Sequence, residues 1–371
     1  MKALLSFILL FFSIASFAQR ARDYGVEIGV MKTGKLNSIT DVDGVKVGHT
    51  TRVEGTTIRT GVTAILPHSG NIFQQKVPAA IYIGNGFGKL AGISQVQELG
   101  NLETPIILTN TLSVPMAIQG TVKYTLGLEG NENVRSVNAV VGETNDGGLN
   151  DIRGMHISES DVIKSIESAT TDQVQEGNVG AGTGTIAFGY KGGIGTSSRL
   201  LPESLGGYTI GVLVQTNFGG VLTIAGVPVG KELNKYPFKN AIEKSDGSCM
   251  MVVLTDAPLD ARQLERIAKR AMMGLAKTGG IASNGSGDYV IAASTAESMR
   301  IPYQTRNTTD NGGVLRNDEM SALFMATIEA TEEAIINSLF AAQTMTGNGR
   351  TVESIPLNRV ISILKSYGVI R

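Results

Sequence analysis

From Ser248 the chain reads SCMMVVL before it turns at TDAP (255–258). A short run with apolar residues at both odd and even positions predicts a strand covered on both faces. AAIYIGNG (79–86) and DYVIAAST (288–295) have the same character, and so do YTIGVLVQTNFGG (208–220) and VLTIAGVPVG (221–230). Residues 36–66 read as strands and turns, with Asp43-Gly44 as a hairpin-type dipeptide. Further strands are expected over 102–112 and over Val137 to Val141.

Helical spacing appears elsewhere. In 88–100, Leu90, Ile93 and Val96 recur on one face and Gly100 suits the C-terminal cap. Met116 to Leu128 predicts a second helix. Ser158 to Ser168 predicts a surface helix, with Ser158 as cap and Asp161 three residues on. Leu259 to Thr278 is strongly amphipathic: Leu264, Ile267, Ala271 and Leu275 share a face opposite Arg262, Glu265, Arg266, Lys269 and Arg270. Asp318 to Thr346 predicts a long, mostly apolar helix ended by Gly347, and a short helix closes the chain. Residues 231–247 and 304–316 are polar and read as loops. Strands and helices in layers, with several long apolar strands, predict an α/β sandwich around a buried pair of sheets.

Composition adds three constraints to this picture. The chain has 371 residues, 18% of them charged, and a formal net charge of -1, so nothing in its charge calls for nucleic acid or an anionic membrane as partner. Cys249 is the single cysteine, which excludes an intramolecular disulfide; before MMVVL it reads as a small buried hydrophobe. The first residues, MKALLSFILLFFSIASFAQ, pair Lys2 with an apolar run and with small residues at Ser16 and Ala18. That pattern predicts a signal peptide over 1–18, removed on export to the periplasm or beyond, with no membrane attachment afterwards.

Candidate chemistry narrows by exclusion first. GNGFGKL (84–90) lacks the hydroxyl and the spacing of a phosphate-binding loop, since Leu90 stands where Ser or Thr is needed. His49, His68 and His156 are far apart, have no metal-ligand spacing and accompany no G-x-S-x-G elbow, so they read as structural. One step between a polar loop and a buried strand remains: Gly247-Ser248. A Ser hydroxyl can attack the preceding carbonyl and shift the acyl group from N to O. Water then releases a chain that begins with Ser. Its new α-amine, with a pKa near 7.7, can serve as base for its own hydroxyl. Glycine at 247 suits the strained backbone that such an attack needs. Residue types alone leave this open, because Gly-Ser steps are common.

Longer blocks decide between the readings. ITDVDGVKVGHTT (39–51), GNGFGKLAGISQVQELGNLETPIILTNTLSV (84–114), VVGETNDGGLNDI (140–152), YKGGIGTSSR (190–199), VQTNFGG (214–220), DGS followed by TDAPL (246–259), SNGSGDYVIAAST (283–295) and TMTGNGR (344–350) stand in order along the chain. Together they resemble the DmpA-like β-aminopeptidases, the L-aminopeptidase D-amidase/D-esterase family, nearly end to end. The resemblance implies an αββα sandwich akin to N-terminal-nucleophile hydrolases but with its own connectivity. It implies one peptidase domain over 19–371, self-cleaved into 19–247 and 248–371, and a homo-oligomer of the processed pair. Ser248 matches the family's nucleophile. Ser286 and Asp288 match the Ser-x-acid pair that orients it, with Asp in a place that also takes Glu. Asn217 matches the oxyanion donor, and Glu143 the carboxylate that holds the substrate's ammonium. Asn145 stands where some relatives carry an aromatic, including a Tyr assigned to oxyanion contact. For Lys191 and Arg199 the sequence leaves structural ion pairing near the site and a part in function unseparated. The implied substrate is a short peptide or an amino-acid amide or ester, and no metal or organic cofactor is implied. The rivals are an acyltransferase related to the ornithine acetyltransferases, which carry a Thr nucleophile, and a secreted binding protein without chemistry.

Overall fold

The computed structural model describes residues 19–238, 247–307, 309 and 313–370. The expected signal peptide, residues 239–246 of the loop before Ser248, and 308 and 310–312 of the 304–316 loop lie outside the described residues.

Two mixed sheets form the centre. The larger runs in the order Ile194–Leu200, Thr209–Asn217, Ser248–Thr255, Gly287–Ser294, Gln75–Gly86, Ile301–Pro302, and Asn101–Leu102 also pairs with Gln75–Gly86. The smaller runs Lys46–Glu54, Ile58–Leu66, Ile106–Asn110, Val140–Thr144, Leu90–Ala91. All eight residues of Ser248–Thr255 are buried, as an apolar run on both faces requires.

Alternation along that strand sets the layers. Met250, Val252 and Leu254 point between the sheets and pack with Ile65, Ile106, Leu108 and Val140 of the smaller one. Cys249, Met251 and Val253 point the other way, into a core shared with Ile267, Ala271, Ala330 and Ala334 from helices Ala261–Lys277 and Met320–Phe340. On the far side Val62, Ala64, Ile107 and Val141 meet Val114, Ala117, Val162 and Ile166 from helices Val114–Leu126 and Glu159–Glu167. The order of layers is therefore helix, sheet, sheet, helix.

Local chemistry explains the helix boundaries. Asp260 caps Ala261–Lys277 by accepting from the Gln263 amide at 2.7 Å, and Gln263 reaches back to the Asp260 amide. Ser158 and Asp161 form the expected capping box of Glu159–Glu167. Gly100, at φ 67°, ends Ile93–Leu99 in the left-handed conformation that favours glycine.

Four expectations need correction. Leu90 belongs to the two-residue strand Leu90–Ala91, not to the helix that follows. VLTIAGVPVG is no strand: Ile224 and Val227 make an isolated bridge, and Val229–Glu232 is a single helical turn. Asp43-Gly44 joins no hairpin, because Ile39–Asp41 before it is a capped 3-10 turn. The long helix stops at Phe340, and Met345–Gly347 instead pairs with Arg350–Val352.

Helix Met320–Phe340 also buries charge that its apolar sequence does not announce. Arg199 bonds Glu329 at 3.1 Å and Glu333 at 2.7 Å, and Arg22 bonds Glu333 at 2.7 Å. Burial alone would raise the Glu333 pKa, but the Arg22 hydrogen bond and the charges of Arg199 and Arg22 bring it below the ordinary value. Arg199 is thus a structural ion pair. It braces the helix rather than the site.

Candidate active site

Ser248 opens the central strand of the larger sheet, antiparallel to Thr209–Asn217 and parallel to Gly287–Ser294. Its register partner on one side is Asn217 and on the other Gly287. The Gly287 amide donates to Ser248 Oγ at 3.1 Å. Sheet register thus brings three separate sequence blocks to one point.

Asn217 ends its strand beside Ser248. Its Oδ1 accepts from the Ile186 amide at 2.9 Å. With the oxygen engaged, Nδ2 is left to donate, and Asn217 lines a cavity together with Ser248. That cavity has a volume of about 810 Å³.

Glu143 reaches the same cavity from the smaller sheet, in Val140–Thr144. Its carboxylate accepts from the Lys89 amide at 2.9 Å and from the Thr111 hydroxyl. Asn110 places Thr111: its side chain accepts from the amides of Leu112 and Ser113, turning the chain as the strand Ile106–Asn110 ends. Gly88 fits beneath the carboxylate because a Cβ there would lie 3.1 Å from Oε1. A buried carboxylate fixed by two donors, with room beside it, can hold an ammonium group.

Asn145 lines the cavity but is exposed, and its Oδ1 accepts from the Gly147 amide, closing its own turn.

Asp288 is fully buried, and desolvation pushes its pKa up to about 6. The Ser286 hydroxyl and the Cys249 amide face it and draw the value partly back. Neither Asp288 oxygen nor Ser286 Oγ makes a hydrogen bond of good geometry among the described residues. Three polar atoms without partners, one residue to either side of Gly287, form a place where a cation would be stabilised.

Gly247 packs against the backbone of Asn217 and Phe218. A Cβ there would lie 2.4 Å from the Asn217 carbonyl oxygen and 2.4 Å from the Phe218 Cα. Close approach, rather than a left-handed φ, is what calls for glycine at this step.

Lys191 is buried and makes no ion pair within 4.0 Å among the described residues. Its Nζ donates to the carbonyls of Gly182 at 2.9 Å and Gly192 at 2.7 Å. Burial lowers its pKa to about 7, and nearby Asp146, itself raised to about 7 by desolvation, works against that shift.

None of the three histidines lines the cavity. His49 bonds Thr63, and burial lowers its pKa to about 4. His68 bonds the Gln75 carbonyl and the Gly70 amide, and burial lowers its pKa too. His156 bonds Asp151. Cys249 is buried, and desolvation raises its pKa well above the ordinary thiol value.

The fold and this cavity can be set beside known proteins. The model of peptidase family S58 matches residues 37–352. The chain belongs to that family. It is a serine aminopeptidase of the N-terminal-nucleophile type. The beta-peptidyl aminopeptidase BapA of Sphingosinicella microcystinivorans is 38% identical over 98% of this chain and 96% of its own. The solved beta-aminopeptidase of a Burkholderia species superposes with a TM-score of 0.88 at 40% identity, covering 94% of this chain and 99% of that one. The L-aminopeptidase D-Ala-esterase/amidase of Ochrobactrum anthropi superposes with a TM-score of 0.88 at 37% identity, covering 95% and 99%. That structure is described as a prototype for the serine aminopeptidases and a new variant among the Ntn hydrolase fold. The sheet-on-sheet sandwich here is the same fold.

Sequence reading missed several contributors. The amides of Ile186, Lys89 and Gly287 act through the backbone and leave no trace in residue identity. Thr111 lay in the open, inside LTNTLSV, but only its packing against Glu143 gives it a part.

Proposed function

We propose that Ser248 is the nucleophile, released by self-cleavage between Gly247 and Ser248, and that the enzyme removes N-terminal residues from short peptides, amides and esters. The observation that carries this reading is the register of Asn217 with Ser248 on the wall of a cavity that Glu143 enters from the facing sheet. Ser248 Oγ attacks the substrate carbonyl. The Ser248 α-amine, once free, accepts the hydroxyl proton. Asn217 Nδ2 donates to the developing oxyanion. Glu143 holds the substrate's ammonium and so admits only chains with a free amino end. The partnerless Ser286 and Asp288 oxygens would receive the Ser248 α-amine that cleavage creates, and this contact orients the nucleophile. The α-amine then passes the hydroxyl proton to the leaving nitrogen or oxygen as the scissile bond breaks, and water, deprotonated by the same amine, attacks the acyl-enzyme, releasing the N-terminal residue and returning Ser248.

The same reading extends to substrates. Relatives are named for β-peptidyl and for L-aminoacyl and D-Ala substrates, and we propose that β-aminoacyl as well as α-aminoacyl groups are accepted here. The chain would work after export, freed of residues 1–18, as an oligomer of processed pairs.

Ser248→Ala decides the central claim. The variant should remain one uncut chain and be inactive, whereas the parent should give a small chain beginning Ser-Cys-Met-Met. A parent that is fully active and uncut would sink the mechanism.

A further inference from the structure

Among the described residues, Glu143 is the one acid that lines the cavity, with Lys89, Lys235 and Arg350 as its cations. Glu143 stands with Gly88 and Thr111 on one side. Across Asn217, which is tied to the Ile186 amide, Ile186 packs over Gly148, and the Arg350 guanidinium lies 3.7 Å from where a Gly148 Cβ would be. Lys235 lies beyond it, with its stem against Gly189 and its ammonium 3.8 Å from the centre of the Tyr190 ring. Both cations line the cavity. Neither makes an ion pair within 4.0 Å among the described residues; Glu353 is the acid whose charge acts on Lys235. They sit near enough for Arg350 to disfavour the charge on Lys235. Two like charges held close without an acid bonded between them are a cost unless an anion joins them. The third cation at the cavity, Lys89, belongs to the other wall, where its amide binds Glu143.

We propose that Lys235 and Arg350 form a carboxylate subsite that reads the free C-terminus of a short peptide, so that the cavity recognises both ends of its substrate. This rests on the reading above, in which Glu143 holds the amino end and Ser248 and Asn217 act between the two walls. Under that reading the group leaving Ser248 extends toward Gly148, Lys235 and Arg350. A cavity of about 810 Å³ falls within the roughly 300–1,000 Å³ range that encloses compact ligands. It therefore has room for a dipeptide or tripeptide. Arg350 can engage a carboxylate through two parallel N–H groups, and Lys235 adds a point charge.

The test is a ratio of kcat/KM for a dipeptide with a free C-terminal carboxylate over the same dipeptide as its C-terminal amide. L-Ala-L-Ala and β-Ala-L-Ala serve as acyl pairs, each beside the matching p-nitroanilide. The parent should prefer the free acid by about tenfold or more, and the preference should shrink as salt rises. Arg350→Gln and Lys235→Gln should each bring the ratio toward one. A purely structural loss would lower acid and amide alike and leave the ratio standing, and that result overturns the proposal. So does a parent that cleaves acid and amide equally well. Glu143→Gln separates the layers. If it cleaves the p-nitroanilide as fast as the parent does, the ammonium reading beneath the proposal fails. If it loses that activity while the parent shows no acid preference, the carboxylate subsite alone fails.

Discussion

Glu143 shows what a single residue can be asked. Its carboxylate is already held by the Lys89 amide and the Thr111 hydroxyl, so Glu143→Gln should fold and process normally. The substrate ammonium would then face a neutral amide and lose a contact worth roughly 1.5–3 kcal/mol. kcat/KM for an aminoacyl amide should fall by more than tenfold, and N-acetylated substrates should be poor for the parent itself. Equal rates on acetyl-Ala-amide and Ala-amide would remove Glu143 from its assigned place. Gly247 makes a second, steric prediction. Its would-be Cβ lies 2.4 Å from the Asn217 carbonyl oxygen and the Phe218 Cα, so Gly247→Ala must displace backbone next to the cleavage site. Self-cleavage should slow by orders of magnitude, read as persistence of the uncut chain on a denaturing gel. The histidines give a third. His49 and His68 are held neutral by burial, and no histidine lines the cavity. The acid limb of kcat/KM against pH should survive His49→Gln, His68→Gln and His156→Gln taken singly. A base with the pKa of an α-amine, about 7.7, must be neutral to accept a proton, so activity should fall as pH drops below that range. Loss of the acid limb in one histidine variant that is folded and processed would end the α-amine mechanism.

Among the elements, helix Ala261–Lys277 was the most readable, because one apolar face runs along its length. Leu264, Ile267, Ala271 and Leu275 are buried as their spacing demands. Asp260→Ala removes the acceptor for the Gln263 amide and should cost about 1 kcal/mol, measured as a lower denaturant midpoint at unchanged slope. Strand Ser248–Thr255 was equally legible, since a run apolar at odd and even positions has only a doubly covered strand to occupy. VLTIAGVPVG misled for the opposite reason. Its composition favours a strand, but it follows Gly219-Gly220, and Gly220 bridges to Gly280 instead of continuing the sheet. The place beside Thr209–Asn217 is taken by Ile194–Leu200, and the amides of Val221 and Thr223 bond the Gly279 and Thr278 carbonyls instead. Propensity proposes a strand, and only an available edge accepts it.

Across the whole molecule the two segments that cleavage would separate are bound by buried charge. Arg199 and Arg22 lie before Ser248, while Glu329 and Glu333 lie after it. Glu333 alone serves Arg22, Arg199 and Asn37. Glu333→Gln leaves buried Arg199 with Glu329 as its acid and removes the ion pair of half-buried Arg22, and we expect a loss of about 3 kcal/mol, seen as a lowered melting temperature and as easier separation of the two chains in mild denaturant. Glu333 keeps a pKa below the ordinary value through Arg22 and Arg199. That contribution is present above the unfolded carboxylate range and is lost as pH falls through the folded value, so the pair should loosen in acid. The sequence by itself determined the layers, because strand and helix periodicities are local and the apolar runs at 79–83, 210–214, 249–254 and 289–293 can be covered only from both sides. It also marked Ser248, Asn217, Glu143, Ser286 and Asp288 through ordered blocks. Tertiary structure alone decided that Asn217 and Gly287 flank Ser248, that Glu143 faces them from the other sheet, and that Lys235 and Arg350 line the same cavity. Those relations are set by strand register and sheet stacking, which depend on pairing between distant segments and leave no local signature along the chain.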